Sequence, residues 1–312
     1  MSESASSKPK KTIFCFGFGY TCVHLANFLK SSEAADINWV VKGTTRDPEK
    51  KDYYKERDVR LFVHDTLSPL PELVSILQGV THILISAPPD KEGCPVFRAY
   101  AKDIVELADA EWIGYLSTTG VYGDRGGAQV DETAEIRPST IRGSRRELAE
   151  QQWLSLFEKH NMPVQVFRLA GIYGPGRSAI ESVTAGIARR IYKEGHVFNR
   201  VHVGDIVNIV YETMMNPRPG EIYNVSDDEP APSHEVIGYA CELLDIAPPP
   251  VVAIENANLA PITMSFYSDN KRVINKKVKA DLGIELIYPT YREGLKNCLE
   301  VMRTQEAASK KA

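Results

Sequence analysis

The stretch Ile13-Phe14-Cys15-Phe16-Gly17-Phe18-Gly19-Tyr20-Thr21-Cys22 governs the reading of the whole chain. Four apolar residues read as a strand, two glycines punctuate a turn, and a helix-length amphipathic stretch, Cys22–Lys30, follows. Gly17 allows the tight turn, and Gly19 lets backbone come close to a pyrophosphate. Phosphates there face the first helical amides, at Tyr20 and Thr21, and the positive end of the helix dipole. Cys22 takes the third glycine of a GxGxxG pattern; that position packs helix on strand, so a small side chain fits. The pattern predicts a dinucleotide site in the first strand–turn–helix unit. The alternative is a glycine-rich turn that binds nothing.

Working outward, short apolar runs alternate with helix-length stretches. Thr12–Phe16, Asn38–Gly43, Arg60–His64, His82–Ser86, Trp112–Ser117, Val164–Leu169 and Ile222–Val225 read as strands. Cys22–Lys30, Leu70–Leu77, Val96–Ala108, Gly143–Lys159 and a segment beginning near Asp205 read as helices. This alternation predicts an α/β fold, a Rossmann-type doubly wound parallel sheet with ligands outside the carboxyl ends of its strands. After Gly171 the rhythm loosens and prolines punctuate the chain, among them Pro175, Pro217, Pro219, Pro230, Pro232 and Pro248–Pro250. Ser233 reads as the N-cap of a helix with the apolar stripe Val236, Ile237, Ala240, Cys241 and Leu244.

The expected organisation is a disordered lead-in over 1–10 and a dinucleotide-binding domain over 11–171, to which strands near 197–226 return. Residues 172–196 and 227–303 form a smaller C-terminal substrate-binding lobe, and 304–312 a disordered tail. A cleft between domain and lobe is the expected substrate site.

Composition narrows the function classes. The 312 residues are 43% hydrophobic and 25% charged, with a formal net charge of −4. That balance argues against nucleic acid or an anionic membrane as partner. No apolar run approaches the roughly 18 residues that span a bilayer. The start, MSESASSKPKK, has no apolar core and does not read as a secretory signal. Five cysteines, at 15, 22, 94, 241 and 298, are odd in number and widely spaced. They suit neither a disulfide framework nor a metal site, and the expected setting is the reducing cytosol.

The end of the second strand discriminates between cofactors. Sites for NAD usually place an acidic residue there, on the ribose 2′-hydroxyl. Here the chain reads Val41-Lys42-Gly43-Thr44-Thr45-Arg46, with no carboxylate before Asp47. Arg46 can hold a 2′-phosphate by two parallel hydrogen bonds and Thr45 can add a hydroxyl, which favours NADP over NAD. Arg46 as a solvated loop charge is the alternative. Asp65, past the third strand, is placed for the adenine edge, and Ala87 and Pro88, past the fourth, for the adenosine ribose. Ordinary turn chemistry explains these three equally well.

Three later segments carry a family resemblance: Ser117-Thr118-Thr119-Gly120-Val121-Tyr122-Gly123, Arg168-Leu169-Ala170-Gly171-Ile172-Tyr173-Gly174-Pro175-Gly176-Arg177 and Val201-His202-Val203-Gly204-Asp205-Ile206. Together with the glycine turn and the late Asn275-Lys276-Lys277, they resemble the extended short-chain dehydrogenase/reductase superfamily of nucleotide-sugar epimerases and dehydratases. The resemblance runs from about Lys11 to Met302. It implies that Thr118 binds both the cofactor region and a substrate oxygen; a strand-end hydroxyl satisfied by backbone is the competing reading. The family's Tyr-x-x-x-Lys is absent. Aligned on Ala149-Glu150, Arg142 takes the Tyr position and Arg146 the Lys position.

Arginine, with a pKa above roughly 12, is no general acid–base near neutrality. Arg146 can still hold a nicotinamide ribose, and Arg142 an anionic substrate group or developing negative charge. A solvated basic helix face answered by Glu147 and Glu150 is the bland alternative. This combination resembles the atypical, YeeZ-like branch of the superfamily. Tyr122 and Tyr173 are the substitutes for the missing proton donor, although both fall in motifs where Tyr usually packs. His202 reads as a structural anchor. Nucleotide-sugar epimerases often carry an arginine four residues before this His; here that residue is Phe198, with Arg200 displaced by two.

Two functions follow. One is an NADP-dependent oxidoreductase or epimerase acting on a small polar, anionic or sugar-like substrate. The other is a non-catalytic NADP(H)-binding sensor or scaffold. By resemblance, the Val96–Ala108 and Gly143–Lys159 helices are the faces through which a homodimer would form.

Overall fold

The computed structural model describes residues 8–64, 70, 72–106 and 110–310. Its first half runs β1 (Lys10–Phe16), α1 (Tyr20–Leu29), β2 (Asn38–Thr45), α2 (Pro48–Lys55), β3 (Val59–Val63), α3 (Leu73–Leu77), β4 (His82–Ile85), α4 (Pro95–Val105) and β5 (Trp112–Thr118). Then come β6 (Gln129–Val130), α5 (Ile141–His160), β7 (Val164–Leu169), β8 (Gly171–Tyr173), α6 (Ala179–Thr184), β9 (Arg190–Tyr192), β10 (Arg200–His202), α7 (Val203–Met215) and β11 (Ile222–Val225). The chain closes with α8 (Ser233–Leu244), β12 (Val251–Ala253), α9 (Pro261–Met264), β13 (Arg272–Val273), α10 (Lys276–Leu282) and α11 (Tyr291–Ser309).

Among the described residues, seven strands form one sheet in the order β11-β7-β5-β4-β1-β2-β3. The pairs β1–β2, β1–β4, β2–β3 and β4–β5 are parallel. Strand order reverses between β1 and β4, so the crevice beyond their carboxyl ends is the switch point at which such sheets bind ligands. The strands read as continuous apolar runs because both faces are covered: β4 and β7 are buried at every residue. The expected α/β doubly wound sheet is therefore what the chain forms.

The chain divides into two compact units. One comprises Met1–Ser117, Arg145–Phe167 and Val207–Ile222; the other comprises Thr118–Ser144, Arg168–Ile206 and Tyr223–Ala312. The first is built on Phe14, Phe16, Leu77, Ile83, Ile113, Trp153 and Val164. The second packs Ile180, Val183, Val236, Ala240, Cys241, Leu295 and Cys298. All five cysteines are free and buried. Among the described residues no helix is long and apolar enough to cross a membrane.

Three local expectations need correction. The tail from Thr304 is not irregular: α11 runs to Ser309. A Thr290–Glu293 capping box starts that helix, its stripe of Leu295, Cys298 and Leu299 anchors it, and the Gln-Glu-Ala-Ala run that follows favours helix. Ser233 is the first helical residue of α8 rather than its cap. Pro232 is the N-cap, with φ −62°, and gives no side-chain bond. The helix expected over Leu70–Leu77 begins only at Leu73. Residues 1–7 of the lead-in lie outside the described residues, and Lys10 already pairs with Asn38 in the sheet.

Candidate functional site

Gly17 ends β1 with φ +89°, and a Cβ there would stand 3.0 Å from the Ala87 nitrogen and 3.2 Å from its Cα. Both neighbours are backbone of the β4 end, so glycine is demanded by the fold itself. Its N–H donates to Thr44 Oγ1 at 2.8 Å. The Phe18 N–H donates to the Thr44 carbonyl at 2.7 Å, and the Gly19 N–H to the Gly17 carbonyl at 2.8 Å. Lys50, from α2, donates to the Phe18 carbonyl at 2.6 Å. The turn is thus pinned to β2 and α2. Sequence reasoning passes over Thr44 and Lys50, because a strand-end Thr and a helical Lys carry no motif.

Gly19 differs. Its backbone (φ −93°, ψ −163°) is open to any residue. Among the described residues, a Cβ there would meet nothing nearer than the Gly17 carbonyl at 4.0 Å. The chain needs no glycine here for itself; a bare backbone is what close approach of a pyrophosphate requires. Gly19 is also the N-cap of α1 without a side-chain cap, and the first turn carries no acid among the described residues. The first helical bond runs from the Val23 N–H to the Gly19 carbonyl at 3.0 Å. The amides of Thr21 and Cys22 precede it, at the positive end of the dipole. These residues fit the phosphates of a dinucleotide. Cys22 fills the third-glycine place, buried, with its Sγ donating to the Gly17 carbonyl at 3.4 Å. A hydrogen-bonded contact with Cys22, helped by burial, pushes the Cys15 thiol up, which keeps it inert.

At the end of β2, Thr45 is buried and its hydroxyl accepts the Asp47 amide at 3.2 Å. The Asp47 carboxylate caps α2, accepting the amides of Glu49 at 3.0 Å and Lys50 at 3.3 Å. Arg46, between them, is exposed. The acidic side chain nearest the strand end is therefore committed to a helix, while the cation stands in solvent. Ala87 lies against the Gly17 turn and Pro88 is exposed beside it. Asp65 lies outside the described residues.

Thr118 ends β5, half-buried, and caps the short helical turn Thr119–Tyr122, its Oγ1 accepting the Gly120 amide at 3.2 Å. The oxygen is used as an acceptor, so the hydroxyl hydrogen remains to be donated. Arg142, in the first turn of α5, is exposed; it donates to Ser265 Oγ at 3.2 Å and lies 4.8 Å over the Phe266 ring. Next to it, a Cβ on Gly143 would come within 2.8 Å of the Gly120 carbonyl, which explains glycine inside this helix.

One turn on, Arg146 donates to the Leu116 carbonyl at 2.5 Å and reaches the Tyr115 hydroxyl at 3.3 Å. Glu150 is buried and accepts the Ser117 hydroxyl at 2.5 Å. Of the basic face allowed for in the sequence reading, Arg142 is exposed, while Arg146 and Glu150 turn back onto β5. Tyr122 is fully buried; its hydroxyl donates to Asn224 at 2.7 Å and accepts from Arg168 at 2.9 Å. Burial raises its pKa. Tyr173 is buried as well, reaches the Thr290 carbonyl at 3.4 Å, and is pushed up by burial. His202 Nδ1 accepts the Gly204 amide at 3.1 Å, and its ring packs 3.9 Å from that of Tyr288. That is the anchor expected of it ahead of α7.

A parallel sheet with a glycine turn at its switch point and a helix N-terminus beyond defines a Rossmann-type α/β protein. The model of the NAD dependent epimerase/dehydratase family matches residues 99–226. Protein YeeZ of Escherichia coli K12 is 30% identical over 240 residues, covering 70% of this chain and 78% of YeeZ. The structure of a functionally unknown conserved protein from Silicibacter pomeroyi DSS shares 44% identity, with a TM-score of 0.84 over 93% of this chain and 98% of that one. The dTDP-glucose 4,6-dehydratase of Bacillus anthracis str. Ames, solved with NAD, shares the fold, with a TM-score of 0.74 at 17% identity over 95% of this chain and 98% of that one. The chain belongs to the NAD-dependent epimerase/dehydratase family, within the extended short-chain dehydrogenase/reductase superfamily.

Proposed function

We propose that this protein binds a nicotinamide dinucleotide at the Gly17–Gly19 turn, prefers NADP(H) to NAD(H), and is an oxidoreductase or epimerase. Its substrate is a small polar molecule, anionic or sugar-like, handled without the usual Tyr–Lys pair. One observation carries the cofactor preference: Asp47 is spent on the α2 amides while Arg46 stays exposed at the β2 end. The cap orients the Asp47 carboxylate toward α2 through its Oδ1, and an exposed guanidinium suits a 2′-phosphate. The NAD in the Bacillus anthracis relative supports a dinucleotide of this kind.

When bound, the nicotinamide would supply or accept hydride. Thr118 donates its hydroxyl hydrogen to the substrate oxygen, and Arg142 stabilises negative charge on the substrate. Arg146 holds the Leu116 carbonyl and so sets the end of β5 from which Thr118 projects. The same reading keeps the protein cytosolic, without nucleic-acid or membrane partners, and gives the homodimer the faces of α4 and α5.

Titrating NADPH and NADH against the wild-type protein and Arg46→Ala, by nucleotide fluorescence, tests this. Tighter NADPH binding is expected in the wild type, weakened about 10- to 100-fold in the variant, with NADH nearly unchanged. Equal affinity for the two nucleotides removes the NADP preference, and binding of neither removes the reading. A non-catalytic sensor is the second reading. It is favoured by the engagement of Arg146 with Leu116 and of Tyr122 with Asn224 and Arg168. It predicts a change of shape or partner affinity between NADP+ and NADPH with no hydride transfer.

A further inference from the structure

Arg200, the half-buried first residue of β10, has a guanidinium bonded along only one edge. Its Nη1 donates to the carbonyls of Phe198 at 3.0 Å and Ala231 at 2.8 Å, which fixes one edge of the guanidinium. Among the described residues no carboxylate forms an ion pair with it, and burial lowers its pKa. The acid whose field reaches it is Asp227, which is 2% exposed and whose carboxylate lies by the Glu229 backbone amide. Burial pushes Asp227 up to about 8, and the Arg200 guanidinium pulls it the other way.

Beside Arg200 lies a cavity of about 550 Å³ contained in the same unit, lined also by Tyr173, Ser178, Val236, Ile237 and Leu295. Glu181 touches it too, but its carboxylate is spent on the amides of Gly176 and Ser178, at 2.8 and 2.7 Å, and on the Ser178 hydroxyl at 2.6 Å. A guanidinium with one edge bonded and its other N–H donors left over, beside a cavity, gives an anion a place to bind.

We propose that this cavity binds a small carboxylate with an apolar body. The remaining N–H donors of Arg200 hold the head, and the aliphatic wall of Val236, Ile237 and Leu295 holds the body. The binding does not rest on the dinucleotide reading above.

Calorimetric titration of the full-length protein, without nucleotide, uses three probes. These are 4-phenylbutyrate, 4-phenylbutan-1-ol (the same body without charge) and inorganic phosphate (an anion without the body). The carboxylate should bind at least about ten-fold tighter than either of the others. Arg200→Met should lose that margin, Arg200→Lys should keep only part of it, and Ile237→Trp, which fills the cavity, should lose binding with the guanidinium intact. If Arg200→Met does not fold, the other two variants decide.

Equal binding of the alcohol, equal binding of phosphate, or unchanged affinity in Ile237→Trp overturns the proposal. NADPH titration of Ile237→Trp separates the two readings. Lost phenylbutyrate binding with NADPH binding retained supports both. Phenylbutyrate binding to a wild type that takes no dinucleotide supports the cavity alone.

Discussion

The Gly17–Gly19 turn and the Thr118–Glu150 region are both recognised from short motifs, yet the structure treats them in opposite ways. At the turn, what matters is the absence of atoms. Gly17 is bare because the Ala87 backbone leaves no room, and Gly19 is bare although the chain leaves room to spare. Around Thr118 the candidate side chains are engaged: Arg146 with Leu116, Glu150 with Ser117, Tyr122 with Asn224 and Arg168, Arg142 over Phe266. Bare backbone keeps a binding site at only a small entropic cost. Buried charges and hydroxyls must find partners, so these groups are part of the structure.

The comparison can be broken most decisively at the two glycines. Gly17→Val forces a β-branched residue to positive φ against backbone. It should cost about 3 kcal/mol or more in urea unfolding and abolish dinucleotide binding. Gly19→Val should leave stability within about 0.5 kcal/mol while weakening the dinucleotide about a hundred-fold. A stability loss in Gly19→Val equal to that of Gly17→Val would mean that both glycines serve the fold alone.

Acid and base should strain the two units in opposite directions. In the first, burial holds His82 down to about 4, against an ordinary 6.5, and its ring nitrogens bond the Met214 carbonyl and Thr81. The unfolded chain takes up that proton first, so stability is lost as pH falls from about 6.5 to about 4, by about 2–3 kcal/mol. His82→Gln should flatten this limb. In the second unit Asp227 is raised to about 8 from an ordinary 3.8. The unfolded chain ionises first, so stability is lost as pH rises through that window. Asp227→Asn should therefore be more stable than wild type, by a margin that widens from pH 4 to pH 8. Urea midpoints at pH 5 and pH 8.5 check both signs, and a constant margin would show that Asp227 titrates normally.

The smallest effect is expected at Tyr122. Removing its hydroxyl in Tyr122→Phe leaves Asn224 and Arg168 one partner short, for about 1–2 kcal/mol, with dinucleotide binding unchanged. Full stability with altered binding would return Tyr122 to the site and sharpen the search for a proton donor.

Residue patterning by itself determined the seven sheet strands, their alternation with helices, the glycine turn and the missing Tyr–Lys pair. Each is a local property: an apolar run buried on both faces, a left-handed turn, or a residue type at a fixed spacing. It did not reveal Thr44 and Lys50 behind the turn, the helical tail, or the engagement of Asp47 that leaves Arg46 alone at the β2 end. Those depend on partners 27 and 32 residues apart, or on which side of a helix meets a core. Tertiary structure alone decided which charges are compensated. Arg200 and Asp227 look like ordinary polar residues in the sequence. Their meaning comes from the burial of Asp227 and from the cavity beside the half-buried Arg200, because the cost of a charge is set by everything packed around it.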